Sequence, residues 1–189
     1  MTVSQVAANG LKINVATAGS GPAVLLLHGF PHTWRIWEKV IPTLAEGQRV
    51  ITPDLRGLGG TTRADTGYDA ATLAQDAASL LDALGEQTAT VVGIDAGAPP
   101  AFLLAMRHPE RVERLVLMES LLGDLPGAEG FNPPWWFGFH QVPDLAEEVL
   151  TGHEAEYLRF FLNAGTLGRG VPPDVEAAFV DAYTGRESL

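Results

Sequence analysis

One aspartate, Asp95, lies between two glycines in residues 93–97, which run Gly-Ile-Asp-Ala-Gly. An apolar run at residues 90–92 precedes these five residues, and a stretch rich in alanine and leucine follows them. In the related pattern Gly-x-Ser-x-Gly, the serine is a nucleophile on a strained turn between a strand and a helix. A carboxylate in that place forms an ester with an electrophilic carbon. The pattern therefore predicts cleavage of a carbon–oxygen or carbon–halogen bond, with Asp95 as the nucleophile.

The residues around Asp95 alternate between short apolar runs and stretches with helical periodicity. The apolar runs, which are typical of strands buried on both faces, are residues 23–27, 49–52, 89–92 and 114–118. This alternation predicts an α/β fold with a doubly wound, mostly parallel sheet, whose reactive groups lie past the carboxyl ends of the strands. The polar residues that follow these runs are His28, Asp54, Asp95 and Glu119.

The composition changes beyond residue 122. Residues 123–134 hold three glycines and three prolines, which predicts a loop or linker. Residues 145–150, 154–162 and 173–182 have helical patterns, and aromatic residues cluster in this part of the chain. We therefore expect two domains, a core at residues 1–122 and a small helical appendage at residues 123–189.

The charge balance limits the kinds of partner. Lys and Arg number 12 and Asp and Glu 23, so the formal net charge is −11, which disfavours nucleic acid and an anionic membrane surface. The longest strongly apolar run, residues 23–27, is too short to cross a bilayer. The chain has no cysteine, and residues 1–10 do not resemble a signal peptide, so we expect a cytoplasmic location. No His, Asp or Glu cluster has the spacing of metal ligands, and we expect no cofactor.

Three motifs in order make a more specific pattern than any one of them. They are His-Gly-Phe-Pro at residues 28–31, Asp-Leu-Arg-Gly at residues 54–57, and the Asp95 pattern. With these motifs the chain resembles the α/β-hydrolase superfamily, within it the epoxide hydrolase and haloalkane or haloacid dehalogenase branch that uses an aspartate nucleophile. The resemblance implies a cofactor-free hydrolase whose oxyanion hole is formed by the backbone N–H groups of Phe30 and Ala96. It also identifies the aromatic helical segment with that branch's cap domain.

Departures from the branch favour an epoxide over a halide. Ile94 stands where the family usually has histidine, and Phe30 and Ala96 replace the asparagine and tryptophan with which haloalkane dehalogenases hold the halide. The arginine with which fluoroacetate-type enzymes hold a carboxylate is also absent at Ala96. We expect a small apolar epoxide as the substrate, with haloalkane or haloacid dehalogenation as the alternative.

The sequence ends at Leu189, inside what resembles the cap, whereas family members continue with the strands that carry the catalytic histidine. None of the five histidines is placed as that base. A second alternative is therefore a non-catalytic or incomplete fragment, which would need a complementary C-terminal fragment as partner. Homo-oligomerisation is also open.

Each candidate residue has a simpler structural interpretation. Asp95 can merely cap the following helix, although the flanking glycines and the upstream motifs favour the nucleophile. Glu119 stands where some dehalogenases of this branch carry the acid that orients the histidine, and the simpler interpretation is a solvated strand end or a salt-bridge partner. Asp54 and Arg56 suit a structural ion pair or turn. The residues expected to line the substrate pocket, for which ordinary packing is the alternative, are His28, Trp34, Trp135, Trp136, His140 and Tyr157.

Overall fold

The computed structural model describes residues 1–120, 130 and 132–185. The chain divides into two compact units, Met1–Ser120 and residues 121–189. The predicted domain boundary after residue 122 lies outside the described residues, as does most of the predicted loop at residues 123–134. Within the part of the chain that the structure describes, no helix is long and apolar enough to span a membrane.

The first unit is built on a six-stranded sheet. Its strands are β1 (Thr2–Ala8), β2 (Leu11–Ala18), β3 (Ala23–Leu27), β4 (Arg49–Pro53), β5 (Ala89–Ile94) and β6 (Val112–Met118), arranged in the order β1-β2-β4-β3-β5-β6. The pairs β3–β4, β3–β5 and β5–β6 are parallel, and β2 pairs antiparallel with both β1 and β4. The predicted mostly parallel α/β sheet is confirmed, and the four predicted apolar runs form its parallel strands. The expected burial on both faces is wrong for the run at residues 114–118, because the residues of β6 are exposed or half-buried.

Three helices pack with this sheet. They are α1 (Ile41–Leu44), α2 (Ala70–Ala83) and α3 (Ala98–Arg107), and short 3-10 helices occupy Trp34–Trp37, Asp95–Gly97 and Pro109–Arg111. The Asp69 carboxylate caps α2 by accepting hydrogen bonds from the backbone N–H groups of Ala71 and Thr72, both at 3.0 Å. Gly85 follows α2 with φ +78°, as expected for a helix that ends at glycine.

Two hydrophobic clusters lie on the two faces of the sheet, and β3 contributes to both. Leu25 and Leu27 belong to the cluster that includes α2 and α3, whereas Val24 and Leu26 belong to the cluster around Trp34 and Trp37. Successive side chains of a strand point to opposite faces, so a strand covered on both sides must be apolar throughout. This burial fixes the carboxyl end of β3 beside β5, and His28 is the residue that follows β3.

The second unit is helical. Its helices are α4 (Trp135–Gln141), α5 (Leu145–Leu150), α6 (Glu154–Gly165) and α7 (Pro173–Ala182). The three predicted helical segments are confirmed as α5, α6 and α7, while α4 was not predicted. Leu158, Leu162 and Phe179 form part of the buried interior, and an exposed Arg159–Glu176 ion pair at 2.7 Å joins α6 to α7.

Candidate active site

Asp95 lies on a sharp turn between β5 and α3. Its φ of +50° is in the left-handed region. This backbone conformation costs a non-glycine residue roughly 1–3 kcal/mol, and residues that adopt it cluster at functional sites. The flanking glycines are needed for space. A Cβ on Gly93 would lie 2.4 Å from the Gly97 carbonyl oxygen, and one on Gly97 would lie 2.5 Å from the His28 carbonyl oxygen. The Gly-x-Asp-x-Gly pattern thus reports a turn that brings the carboxylate against the end of β3.

The His-Gly-Phe-Pro segment meets the Asp95 carboxylate directly. The Phe30 backbone N–H donates a hydrogen bond to Asp95 Oδ1 at 2.7 Å, a short distance typical of a charged acceptor. Gly29 makes this approach possible, because a Cβ there would lie 2.5 Å from the Asp95 Cβ and Oδ1. Ala96, the other predicted oxyanion donor, is the next residue of the turn and is exposed. The structure therefore brings Phe30, Asp95 and Ala96 together at one edge of the sheet.

His28 was expected in the substrate pocket, and the structure corrects this expectation. Its side chain is fully buried. The ring Nε2 accepts a hydrogen bond from the Leu55 backbone N–H at 3.0 Å, and Nδ1 lies 3.1 Å from the Gly29 carbonyl oxygen. Both ring nitrogens contact backbone groups behind the turn, so this side chain does not line a pocket that a substrate could enter. Burial lowers the pKa of His28, although Asp54 acts in the opposite direction.

Trp34 is also buried, in the hydrophobic cluster with Trp37 and Leu26, and its expected place at a pocket remains a prediction. Its backbone N–H donates to Asp54 Oδ1 at 2.9 Å. The buried Asp54 carboxylate accepts two further hydrogen bonds on Oδ2, from Asn14 Nδ2 at 2.8 Å and from the Gly60 N–H at 3.0 Å. Asp54 therefore connects three segments of the chain behind the turn, which is a structural role.

The other polar residue of the second motif, Arg56, forms a two-pronged ion pair with Asp76 of α2. Arg56 Nε donates to Asp76 Oδ2 at 2.8 Å and its Nη2 donates to Oδ1 at 2.7 Å. Both side chains are 8% exposed. This contact confirms the expected structural ion pair for Arg56, and it raises the pKa of the guanidinium through the hydrogen bonds to Asp76.

Glu119 follows β6 as Asp95 follows β5. The residues before them, Met118 and Ile94, are paired in the parallel register of the two strands, so the two carboxylic acids follow neighbouring strands at the same edge. Glu119 also has a left-handed backbone, with φ +52°, and it is exposed. Among the described residues, none donates a hydrogen bond to its carboxylate. Its proposed role as the acid that orients a histidine stays a prediction.

A profile of the α/β hydrolase fold matches residues 22–162, which is more than half of the chain. The matched span contains the turn, the Phe30 donor and both neighbouring strand ends. The chain belongs to the α/β hydrolase fold family.

Relatives of this α/β hydrolase are mostly epoxide hydrolases. The soluble epoxide hydrolase of Corynebacterium sp. (strain C12) is 36% identical over 181 residues, which cover 93% of this chain and 63% of that enzyme. The solved structure of epoxide hydrolase CorEH without ligand has a TM-score of 0.86 and 35% identity, covering 99% of this chain and 70% of CorEH. A fluoroacetate dehalogenase of Burkholderia sp is 35% identical over 116 residues, 59% of this chain and 38% of that enzyme. The chain thus spans less than two thirds of the curated relatives' length.

The second unit of this α/β hydrolase carries the remaining predicted pocket residues in one aromatic cluster. Trp135 and Trp136 on α4 pack edge to face, with ring centroids 5.8 Å apart, and Trp136 packs against Phe161 of α6 at 5.2 Å. His140 Nε2 lies 2.8 Å from the Tyr157 hydroxyl oxygen. Partial burial lowers the pKa of His140 and raises that of Tyr157. The cluster places these four residues near one another, and their role as a pocket wall stays a prediction.

The sequence did not single out two residues that build the site. Gly29 makes the close approach of Phe30 to Asp95 possible, and Asn14 holds the Asp54 carboxylate from β2. Gly29 could have been found, since a glycine next to a functional turn often marks a close backbone approach. Asn14 carries no comparable signal, because its partner is 40 residues away in the chain. Within the described residues, no group of three or more His, Asp or Glu side chains is arranged to hold a metal ion.

Proposed function

We propose that the protein is a hydrolase of the epoxide hydrolase type, which acts through an ester on Asp95. The observation that carries this proposal is the Asp95 carboxylate on its strained turn, with the Phe30 N–H 2.7 Å from Oδ1. The epoxide hydrolase names among the relatives support the same reaction class. Because the chain spans 63% of the Corynebacterium enzyme, the activity is proposed for the whole protein.

The first step is the opening of the epoxide ring. Since Oδ1 is held by the Phe30 N–H, Oδ2 is the oxygen that attacks a ring carbon. The carbon–oxygen bond of the ring breaks, and the released alkoxide takes a proton from an acidic hydroxyl group. For this proton donor we keep the predicted candidate Tyr157, and we keep the indole N–H of Trp135 or Trp136 as a candidate hydrogen-bond donor to the same oxygen.

The second step is hydrolysis of the ester, in which the Phe30 N–H acts as an oxyanion donor. Once Oδ2 carries the alkyl group, Oδ1 is the carbonyl oxygen of the ester. Attack of water on the carboxyl carbon places negative charge on Oδ1, and a preorganised backbone donor at this oxygen stabilises that charge. We propose Ala96 N–H as the second donor. Collapse of the intermediate breaks the bond between the carboxyl carbon and the alkyl oxygen, which releases the diol and regenerates the carboxylate.

The water must lose a proton to a base, which the family resemblance assigns to a histidine. His28 cannot be this base, because both its ring nitrogens are bonded to the backbone and its side chain is fully buried. We propose Glu119 as the acid that orients the base, since it follows β6 at the same edge as Asp95.

We also keep the cytoplasmic location as a proposal, which cell fractionation would test.

Dehalogenation through the same ester is the second candidate, because a fluoroacetate dehalogenase is among the relatives. The side chains next to the nucleophile favour it less. Phe30 and Ala96 offer neither a polar side chain for a halide ion nor a positive charge for a carboxylate. A neutral epoxide with an apolar substituent requires neither.

A single-turnover reaction in water labelled with oxygen-18 tests the proposal. With excess protein over an aryl-substituted epoxide, the diol of the first turnover should be unlabelled, because its new oxygen comes from Asp95. Mass spectrometry of the digested protein should then find the label in the peptide that contains Asp95. Labelled diol with unlabelled protein would indicate direct attack by water and refute the ester. Release of halide from a haloalkane or fluoroacetate, without epoxide hydrolysis, would favour the second candidate.

A further inference from the structure

The peptide group between Gly29 and Phe30 is held at both of its ends. The Gly29 carbonyl oxygen accepts a hydrogen bond from the His32 backbone N–H at 2.9 Å and lies 3.1 Å from His28 Nδ1. The Phe30 N–H of the same peptide donates to Asp95 Oδ1 at 2.7 Å. In a planar trans peptide the C=O and N–H bonds point in opposite directions. Whatever orients the Gly29 carbonyl therefore also orients the Phe30 N–H.

The hydrogen-bond partners of His28 determine which ring nitrogen carries the proton. The Leu55 backbone N–H, 3.0 Å from Nε2, can only donate, so Nε2 is the acceptor and has no hydrogen. In the neutral ring, Nδ1 then carries the hydrogen and donates it to the Gly29 carbonyl oxygen. Both contacts are satisfied only by this tautomer. The ring is completely buried, so water does not compete for either bond.

The segment that holds the His28 ring is itself anchored. Leu55 directly follows Asp54, whose buried carboxylate accepts hydrogen bonds from Trp34 N–H, Asn14 Nδ2 and Gly60 N–H. The Asp54 backbone N–H also donates to the Asn14 carbonyl oxygen at 2.8 Å. Asp54 thus ties the start of the loop after β4 to β2 and to the helical turn at Trp34. The Leu55 N–H is consequently presented to His28 from a rigid support.

We infer that His28 is a positioning residue, which turns the Gly29–Phe30 peptide so that the Phe30 N–H points at the Asp95 carboxylate. The Leu55 N–H, next to the anchored Asp54, holds the imidazole ring. The ring holds the Gly29 carbonyl, and the N–H of the same peptide group meets Asp95. The hydrogen bond between the Gly29 carbonyl and Nδ1–H also polarises the peptide and strengthens its N–H as a donor. Only the catalytic consequence of this orientation rests on the proposed function.

Two substitutions of His28 separate its two hydrogen bonds. His28→Asn places an amide nitrogen near the position of Nδ1 and keeps a donor for the Gly29 carbonyl, whereas it loses the acceptor for Leu55. His28→Gln places an amide oxygen near the position of Nε2 and keeps that acceptor, whereas it loses the donor. Both variants remove the ring from the same buried site, so each is the control of the other for the lost packing.

The direct measurement is the NMR signal of the Phe30 amide in protein labelled with nitrogen-15 phenylalanine, assigned with Phe30→Leu. An N–H that donates to a carboxylate is shifted downfield, so the signal should stay near its native position in His28→Asn and move upfield in His28→Gln. With an epoxide substrate, kcat should fall about 10²-fold in His28→Gln, as for removal of one oxyanion donor, with KM little changed. His28→Asn should lose less than a tenth of that factor.

A native Phe30 amide shift in folded His28→Gln would overturn the inference, as would equal losses of kcat in both variants. If neither variant folds, the imidazole nitrogen-15 shifts of the unmodified protein decide, and a hydrogen on Nε2 of His28 instead of Nδ1 would overturn it. If the unmodified protein hydrolyses no epoxide, the proposed function fails. The Phe30 amide shift would still show whether His28 orients the peptide.

Discussion

His28 in the first unit and His140 in the second differ in the groups that hold the imidazole ring. In the first unit His28 is bonded through both nitrogens to backbone groups, and the neighbouring Asp54 carboxylate also takes two of its three hydrogen bonds from backbone N–H groups. In the second unit His140 meets another side chain, the Tyr157 hydroxyl, within an aromatic cluster. Backbone groups have no side-chain rotamers to fix, whereas two side chains that meet lose rotamer entropy. Precise positioning is therefore to be expected around Asp95, and adaptability around His140.

The largest effect should follow from removing the proposed nucleophile, Asp95. Asp95→Asn cannot form the ester, and we expect kcat for epoxide hydrolysis to fall about 10⁴-fold or more, as for other nucleophile deletions. Asp65→Asn, which makes the same change at an exposed loop position, is the matched control and should keep native activity. Turnover by Asp95→Asn within tenfold of the native rate would move the chemistry away from this turn.

Glycine-to-alanine substitutions should change the free energy of unfolding in opposite directions in the two regions, beside Asp95 and in the helices of the second unit. Gly29→Ala places a methyl group 2.5 Å from Asp95 Cβ, and we expect a loss of about 3 kcal/mol in the free energy of unfolding. Gly138 lies in α4, where a new methyl group would meet no described atom within 4 Å outside the backbone of its own helix, and Gly138→Ala should stabilise that helix by up to about 1 kcal/mol. Chemical denaturation measures both. Similar effects for the two variants would contradict the close packing behind Asp95.

A pH-dependent loss of stability should come from His32, which directly follows the His-Gly-Phe-Pro motif. Burial, with a smaller contribution from His28, lowers the pKa of His32 to about 4. The unfolded chain, with a histidine pKa of about 6.5, binds the proton first as the pH falls. His32 should therefore destabilise the fold as the pH falls from about 6.5 to about 4, by up to roughly 3 kcal/mol, and have no such effect above pH 7.

His32→Asn isolates this contribution from that of the carboxylates, which titrate in the same range. The difference in unfolding free energy between the variant and the native protein should change between pH 7.5 and pH 4.5, in favour of the variant at the lower pH. A difference that stays constant over this range would show that His32 is protonated equally in the folded and unfolded states.

The smallest effect should come from the side-chain pair of the second unit. Tyr157→Phe removes the hydroxyl at 2.8 Å from His140 Nε2, and we expect a loss of stability below about 1 kcal/mol, since His140 is only partly buried and water can replace the lost partner. The native protein and Tyr157→Phe can be compared by thermal unfolding and by epoxide turnover. A large loss of turnover with unchanged stability would support Tyr157 as the proton donor and would reverse the ranking of the two regions.

The two strands that position Asp95 were predictable because they are almost wholly apolar at residues 23–27 and 89–92. β3 is buried on both faces, as such a run predicts, whereas β5 is buried on one face and half-buried on the other. β1 was missed, since most of its residues are exposed and its pattern resembles a loop. A signal was present in Asn9-Gly10, where both residues have positive φ, because this pair is the commonest tight turn of a β-hairpin.

At the site, the sequence predicted the groups that belong to a motif but not the contacts that hold the motif in place. Asp95 and Phe30 were found from their neighbours in the chain. The function of His28 was misjudged, because a histidine in a motif suggests chemistry while its actual partners, Leu55 N–H and the Gly29 carbonyl, carry no side-chain signal. For Asp54 the structural role was predicted, but its hydrogen-bond donors were not, because they come from three separate segments. Such contacts become visible only when the chain is folded.

The main-chain origin of the donor to Asp95 has a consequence for protein engineering. Because the hydrogen bond comes from the N–H of residue 30, every amino acid except proline supplies the same group at that position. The side chains at positions 30 and 96 can therefore be randomised together in a mutant library without deleting a hydrogen-bond donor from the turn. Variants selected from such a library would differ in the shape and polarity presented to the substrate. The same nucleophile could thus be adapted to new electrophiles.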